Sequence, residues 1–265
     1  MVGAGRGGVA RKGGVMERIF IHLGTHKTGT TSFQRFMLER REWLRRAGIE
    51  PYIETQEGAA DANCYRLVHD VLRAEVMTMS RYVGAVAPPH DARLAALACH
   101  VQEFLAGARA AGRSVLFSAE AFSFLRNAAE LGALRRVLGA EAGRIVPLVV
   151  FREDTAWRRS WVAGIARHPV AGPRMADADF PLLGDWWFDK QAIRAFWAQL
   201  GPVTAIEYEA AMERDGDVIP ALLGAMGLDC PGDLHFRLNV SPVTNPVADP
   251  IAGGGAVGNR APERN

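Results

Sequence analysis

A chain of 265 residues with 49% apolar content can bury a full core, and a net charge of +2 excludes a basic nucleic-acid coat or a polybasic membrane patch. No apolar run approaches the length of a membrane span. The three cysteines, Cys64, Cys99 and Cys230, are odd in number and far apart, with neither a disulfide framework nor a metal-ligand spacing. They fit a reducing compartment, and a cytoplasmic location is expected.

The first 16 residues are rich in Gly and Arg and lack the apolar stretch of a signal peptide. They read as a disordered extension, with Met16 as an alternative start. Residues 17–245 read as one α/β domain, and the Gly- and Pro-rich residues 246–265 as a disordered tail. The domain opens with an apolar strand over Arg18 to Leu23. A small, hydroxyl-rich loop from Gly24 to Ser32 follows, and then a helix with Phe33, Phe36, Met37, Arg40, Leu44 and Ala47 on one face, stopped by Gly48. Ile49 to Ile53 forms a short second strand, placed near a sheet edge by Pro51. Residues 61–82 read as one helix. A second, capped by Asp91, runs to about Ala111. Ser114 to Ser118 is a short buried strand, a helix runs through Leu131 to Leu138, and Ile145 to Phe151 is a continuous apolar strand of the parallel, central kind.

Asp154 to Ala166 is expected to be helical. His168 to Gly184 is a long irregular segment of the sort that forms lids. Asp185 caps a helix carrying Trp186, Trp187, Phe188, Ile193, Phe196, Trp197 and Leu200. A strand over Val203 to Tyr208 and a helix over Val218 to Met226 close the pattern. Strands alternating with helices predict an α/β fold of P-loop type, a central parallel sheet flanked by helices on both faces.

Strand, tight loop and helix start together make a phosphate cradle. Loop N–H groups converge on the anion, and the helix end adds partial positive charge. Lys27 can neutralise charge, Thr28, Thr30, Thr31 and Ser32 bring hydroxyls, and Gly24 and Gly29 permit close approach. The loop departs from the triphosphate template G-x4-G-K-[ST]. Gly24 and Gly29 keep the spacing and Thr31 the hydroxyl position, but Thr30 stands where the lysine belongs. The lysine has moved back to residue 27. A second constellation follows the strand ending at Phe151. Arg152 lies at the ligand-facing end of the sheet, able to pair bidentately with phosphate, and Ser160 lies two turns into the next helix.

His26-Lys27-Thr28-Gly29-Thr30-Thr31-Ser32 resembles the 5′-phosphosulfate loop of sulfotransferases, which use 3′-phosphoadenosine 5′-phosphosulfate (PAPS). Arg152 and Ser160 match the R-x7-S spacing of the same family. The resemblance covers roughly residues 18 to 241. It implies metal-independent in-line transfer of a sulfuryl group from PAPS to a hydroxyl or amine of a carbohydrate, glycolipid or small molecule. The loop residues, His26 through Ser32, would hold the 5′-phosphate, with Lys27 also stabilising charge on the leaving oxygen. Arg152 and Ser160 would hold the 3′-phosphate. Glu120, just after Val115-Leu116-Phe117-Ser118, falls where the family places its base.

Glu54 and His69 are rivals for that role. Related bacterial enzymes place a His near residues 62–66, where this chain has Cys64. The resemblance also sets Tyr208 beside the adenine and Arg237 over the 3′-phosphate. Arg167 and Arg174 are candidates to meet an anionic acceptor, and Trp186 and Trp187 to line its pocket. Two alternatives stay open: a small-molecule kinase using Mg-ATP, and a nucleotide-binding protein without turnover.

Overall fold

The computed structural model of the chain describes residues 18–56, 58–177 and 180–232. Arg237 and the expected N-terminal extension and C-terminal tail lie outside them. At the centre stands β1 (Ile19–Gly24), all six residues buried. Its side chains alternate between two cores, Ile19, Ile21 and Leu23 in one and Phe20 in the other, so both faces of the strand must be covered.

From β1 the chain turns through the glycine–threonine loop into α1 (Thr30–Glu39) and α2 (Arg41–Arg46). The apolar stripe that predicts a single helix to Ala47 is interrupted at Arg40, whose φ of −109° and ψ of 22° leave the helical region. Gly48, at φ +85°, reverses the chain into the edge strand β2 (Ile49–Pro51). An antiparallel pair, β3 (Glu54–Gln56) and β4 (Ala59–Asp61), precedes α3 (Tyr65–Val71) and α4 (Met79–Tyr82).

The single helix expected over 61–82 is therefore two short helices, and the break has a physical cause. Leu72 is extended. The carbonyls released by the broken helix are gathered by Arg81: its Nη1 donates to the carbonyls of Arg73 (2.6 Å), Ala74 (3.3 Å) and Val76 (2.7 Å), and its Nη2 to those of His69 (3.2 Å) and Leu72 (2.9 Å). One fork-shaped guanidinium thus replaces a run of helical hydrogen bonds.

The remaining elements are α5 (Asp91–Ala110), β5 (Ser114–Ser118), α6 (Ala128–Leu138), β6 (Ile145–Phe151), α7 (Asp154–Ala166), α8 (Lys190–Trp197), β7 (Thr204–Glu207), α9 (Tyr208–Asp215) and α10 (Ile219–Ala225). Two expected caps shift. The His90 ring nitrogen, and not Asp91, accepts from the Ala92 N–H at the start of α5 (3.2 Å). The aromatic segment is a 3₁₀ turn (Asp185–Phe188) followed by α8, whose cap is Asp189 accepting from Ala192 N–H at 2.8 Å.

The sheet order is β2-β5-β1-β6-β7, every pairing parallel. This is the α/β parallel architecture that the sequence predicts. From β1 the chain runs outward to β2, returns to β5, then crosses β1 to β6 on the other side. The carboxyl end of β1 is therefore the topological switch point, where open α/β sheets leave a crevice. Phe33, Phe36 and Met37 of α1, with Ile219, Leu222 and Leu223 of α10, cover one face. Helices α3, α5, α6, α7 and α8 cover the other.

Arg81→Met should cost about 2–3 kcal/mol of unfolding free energy in urea titration, because several carbonyls lose a charged donor at once. Arg81→Lys should restore only part of that loss, since a point charge cannot span five carbonyls.

Candidate functional site

The loop leaving β1 is pinned to the neighbouring strand. Thr25 donates to the Val150 carbonyl through its N–H (3.3 Å) and its hydroxyl (2.8 Å). The Thr28 hydroxyl donates in turn to the Thr25 carbonyl, so its proton is committed within the loop. Lys27 (φ +70°) and Gly29 (φ +83°) are both left-handed. A lysine pays no such strain casually, and strained backbone of this kind clusters at functional sites. Gly29 is the N-cap of α1 and brings no side-chain acceptor, and the first turn holds no acidic residue. The positive end of the helix is therefore not neutralised locally.

A Cβ on Gly24 would lie 2.3 Å from Thr30 Oγ1 and 2.9 Å from His22 Nε2. Strand and helix can meet this closely only because residue 24 has no side chain. Thr30 Oγ1 is buried and has no hydrogen-bond partner among the described residues. Ser32 is buried, while Thr31 is exposed at the helix start.

Lys27 reaches across α7. A Cβ on Gly164 would lie 2.8 Å from its Cε and 3.1 Å from its Nζ. Its pKa is lowered, first by desolvation, then by Arg167 and by Arg152, with Glu120 opposing. Lys27 thus stands between a basic side and a carboxylate. Ser160, one helical turn before Gly164, shares that face of α7.

Arg152, directly after β6, donates from Nη1 to the Lys27 carbonyl (3.1 Å). Its guanidinium lies over the Tyr208 ring at 5.1 Å, and its Nε is 3.6 Å from Glu209 Oε1. Tyr208 is the first residue of α9, and its Cε2 lies 4.0 Å from the Cβ position of Gly29. The structure thus brings together the loop, Arg152, Tyr208 and the Ser160 face of α7.

Glu120 opens the 3₁₀ turn after β5 (Glu120–Phe124) and accepts from Asn63 Nδ2 at 3.3 Å. Burial raises its carboxyl pKa, Asp61 adds to the rise, and its own N–H, Asn63 and Lys27 oppose it. Glu54 accepts from the Leu67 N–H (3.3 Å), and its pKa is pushed up to about 7, mainly by burial. Both ring nitrogens of His69 are engaged, Nδ1 with the Tyr65 carbonyl (2.6 Å) and Nε2 with Thr78 Oγ1 (2.7 Å). That arrangement is structural. Cys64 is buried against the Ser118 carbonyl, and burial raises its thiol pKa.

His26 stacks on Phe124 (centroids 5.2 Å apart) and meets the edge of Trp161 (4.5 Å) and of Trp187 (6.1 Å). Burial and the neighbouring Lys27 hold its pKa down near about 3, so it ties the loop to an aromatic cluster as a neutral ring. Trp187 is buried in that cluster and Trp186 lies tilted against it, centroids 4.8 Å apart. The segment before them is anchored by buried Ala171 and Leu182, the latter's carbonyl accepting from Trp161 Nε1 at 2.8 Å. Of the two arginines expected to meet an anionic acceptor, Arg167 neighbours Lys27 and Arg174 is paired with Asp177 (2.8 Å). Asp61, Asn63 and Gly164 are site neighbours that no motif reveals. Only the (i, i+4) spacing of Ser160 and Gly164 could have pointed to the last.

The fold and the loop together define an α/β protein with a glycine–threonine loop at the switch point of its parallel sheet. No protein-family model and no curated protein sequence matches this chain. Among solved structures, a sulfotransferase from Alicyclobacillus acidocaldarius is 12% identical, over 86% of this chain and 88% of that one, with a TM-score of 0.49. The sulfotransferase domain from the curacin biosynthetic pathway is 14% identical, over 82% and 76%, with a TM-score of 0.43.

Gly164→Ala should leave thermal stability equal or slightly raised, by up to about 1 kcal/mol, because alanine favours a helix. It should still displace the Lys27 ammonium and weaken anion binding, a split that melting and titration would expose together.

A second test concerns pH. His22 is fully buried, and desolvation lowers its pKa from 6.5 to about 3. Between those values the unfolded chain binds a proton that the folded one does not. Stability therefore falls as pH drops below 6.5, by about 1.4 kcal/mol per pH unit for this one group. Glu54, raised from 4.5 to about 7, has the opposite sign: its contribution is present at low pH and is lost as pH rises through 7. Glu54→Gln should therefore steepen the acid loss seen in urea titrations between about pH 6.5 and 4.5.

Proposed function

We propose that this chain is a sulfotransferase that uses PAPS and transfers its sulfuryl group to a hydroxyl or amine acceptor without a metal. The observation that carries the proposal is the meeting of two cationic stations at one end of the sheet. Arg152 Nη1 rests on the carbonyl of Lys27 (3.1 Å), so the loop and the R-x7-S arginine share one site.

The residues fit the cofactor. PAPS has anionic groups at both ends of its ribose, and the site offers Lys27 with the helix N-terminus and, beside it, Arg152, with the Ser160 face of α7 passing next to Lys27. The Tyr208 ring offers a flat surface beside both. The buried hydroxyl of Thr30, with no partner among the described residues, is available to a ligand oxygen. When bound, PAPS supplies an activated sulfuryl group on a phosphate leaving group.

The chain's own residues do the rest. The N–H groups at the start of α1 and the Lys27 ammonium stabilise charge as it develops on the leaving oxygen. Lys27, partly desolvated and beside Arg167 and Arg152, holds its proton less tightly than an isolated lysine and can share it with that oxygen. Glu120 Oε, oriented by Asn63, accepts the proton of the acceptor. Burial raises its pKa, which makes it a stronger base than an exposed carboxylate.

Calorimetric titration with 3′,5′-adenosine bisphosphate in the absence of metal tests the cofactor site. Wild type should bind, and Lys27→Ala and Arg152→Ala should each weaken binding by about ten- to a hundredfold. No binding of the bisphosphate, with binding of Mg-ATP instead, would overturn the proposal in favour of a kinase. Glu120→Gln should bind the bisphosphate as wild type does and lose about 10²–10⁴ in turnover once an acceptor is in hand.

A further inference from the structure

Beneath the loop lies a chain of buried polar side chains that the proposed chemistry does not use. His22, in the middle of β1, is fully buried and meets Phe33 of α1 edge-on at 4.8 Å. Its Nδ1 lies 2.8 Å from the hydroxyl of Ser118, its parallel partner on β5. The same hydroxyl oxygen accepts from Gln34 Nε2 of α1 at 3.3 Å. An amide nitrogen only donates, so of these two neighbours only His22 Nδ1 can take the Ser118 proton. With Nδ1 as its acceptor, Ser118 both donates and accepts, and the two contacts are satisfied together. Burial keeps the ring neutral, and a neutral ring whose Nδ1 accepts must carry its own proton on Nε2.

That Nε2–H is buried and has no partner among the described residues, and neither has the buried Thr30 Oγ1. Both atoms lie within 3 Å of one point, the Cβ position of Gly24, with Nε2 at 2.9 Å and Oγ1 at 2.3 Å. Two orphaned polar atoms this close together, under the N-terminus of a ten-residue helix, can share one hydrogen-bond partner beside the Gly24 backbone. The occupant must accept a hydrogen bond from Nε2–H, and the helix end favours negative charge.

We propose that His22 is a further anion-contacting residue of the loop, its Nε2–H held toward the Gly24–Thr30 cradle by Ser118 and Gln34 to donate to a phosphate or sulfate oxygen. This rests on the loop being the anion site proposed above. His22 acts as a neutral donor, and Ser118 and Gln34 are positioning residues that fix its tautomer.

The test is nitrogen NMR on protein carrying ¹⁵N-histidine, combined with calorimetry. The free protein should show His22 as the Nε2–H tautomer, unchanged between about pH 5.5 and 8. Adding 3′,5′-adenosine bisphosphate, or inorganic sulfate alone, should shift the Nε2–H resonance. Ser118→Ala should let the second tautomer appear and weaken binding by about threefold to tenfold. His22→Leu should weaken it by about tenfold, and His22→Gln, which restores an amide donor, should recover most of the loss.

An Nδ1–H tautomer in the free protein would overturn the inference. So would a resonance that stays put while calorimetry shows the bisphosphate bound; the occupant would then be a buried water, and the cofactor proposal would survive. If sulfate shifts His22 and the bisphosphate does not bind, the inference stands and the PAPS proposal falls. If neither anion moves the resonance, the inference fails.

Discussion

The approach of β1 to the first turn of α1 leaves no room for a side chain at residue 24, where a Cβ would lie 2.3 Å from Thr30 Oγ1. Much of the rest follows from that contact. It brings the helix end over the strand end at the switch point of the sheet, where flanking strands diverge in topology. It forces the chain between them into a tight loop, and the loop in turn needs Lys27 and Gly29 at positive φ. Pinning by Thr25 on the Val150 carbonyl makes β6 part of the same construction, so Arg152 arrives beside the loop by sheet geometry and needs no long flexible reach.

The electrostatics around Lys27 have two sides. Arg167 and Arg152 lower its pKa from one side, and Glu120 pulls the other way. Glu120 itself stands with Asp61 and Asn63, on the side of the β3–β4 pair. A lysine lowered by burial and by cations, and a carboxylate raised by burial, are drawn toward each other in proton affinity by their surroundings. Neither setting is visible in the linear sequence, because the two walls come from separate segments, Asp61, Asn63 and Glu120 on one side and Arg152 and Arg167 on the other.

Much of the architecture was legible from residues alone. Apolar runs at Arg18–Leu23 and Ile145–Phe151, each closed by a small or charged residue, identify β1 and β6, and Gly48 marks a turn that does carry positive φ. The loop was legible because its residue types have few other uses. The split of 61–82 was not, since it depends on where one guanidinium, Arg81, finds its carbonyls. Nor was Gly164, an ordinary helical glycine whose significance lies in the lysine passing over it. His22 reads in sequence as a strand residue flanking the loop. Only the pairing with Ser118 reveals that its ring nitrogens have different fates. His26, by contrast, reads as a loop ligand and proves to be packed among aromatic rings.

The His22–Ser118 pair also bears on how the sheet finds its alignment. A one-residue slip between β1 and β5 would turn every side chain to the wrong face, and burial alone penalises it. A two-residue slip keeps each face apolar and is far less costly to the core. It would, however, set His22 beside Leu116 or Glu120 in place of Ser118, stranding an imidazole, a hydroxyl and the Gln34 amide in the interior together. The buried polar chain thus serves as a registration mark for parallel strands whose hydrophobic pattern repeats too evenly to align itself.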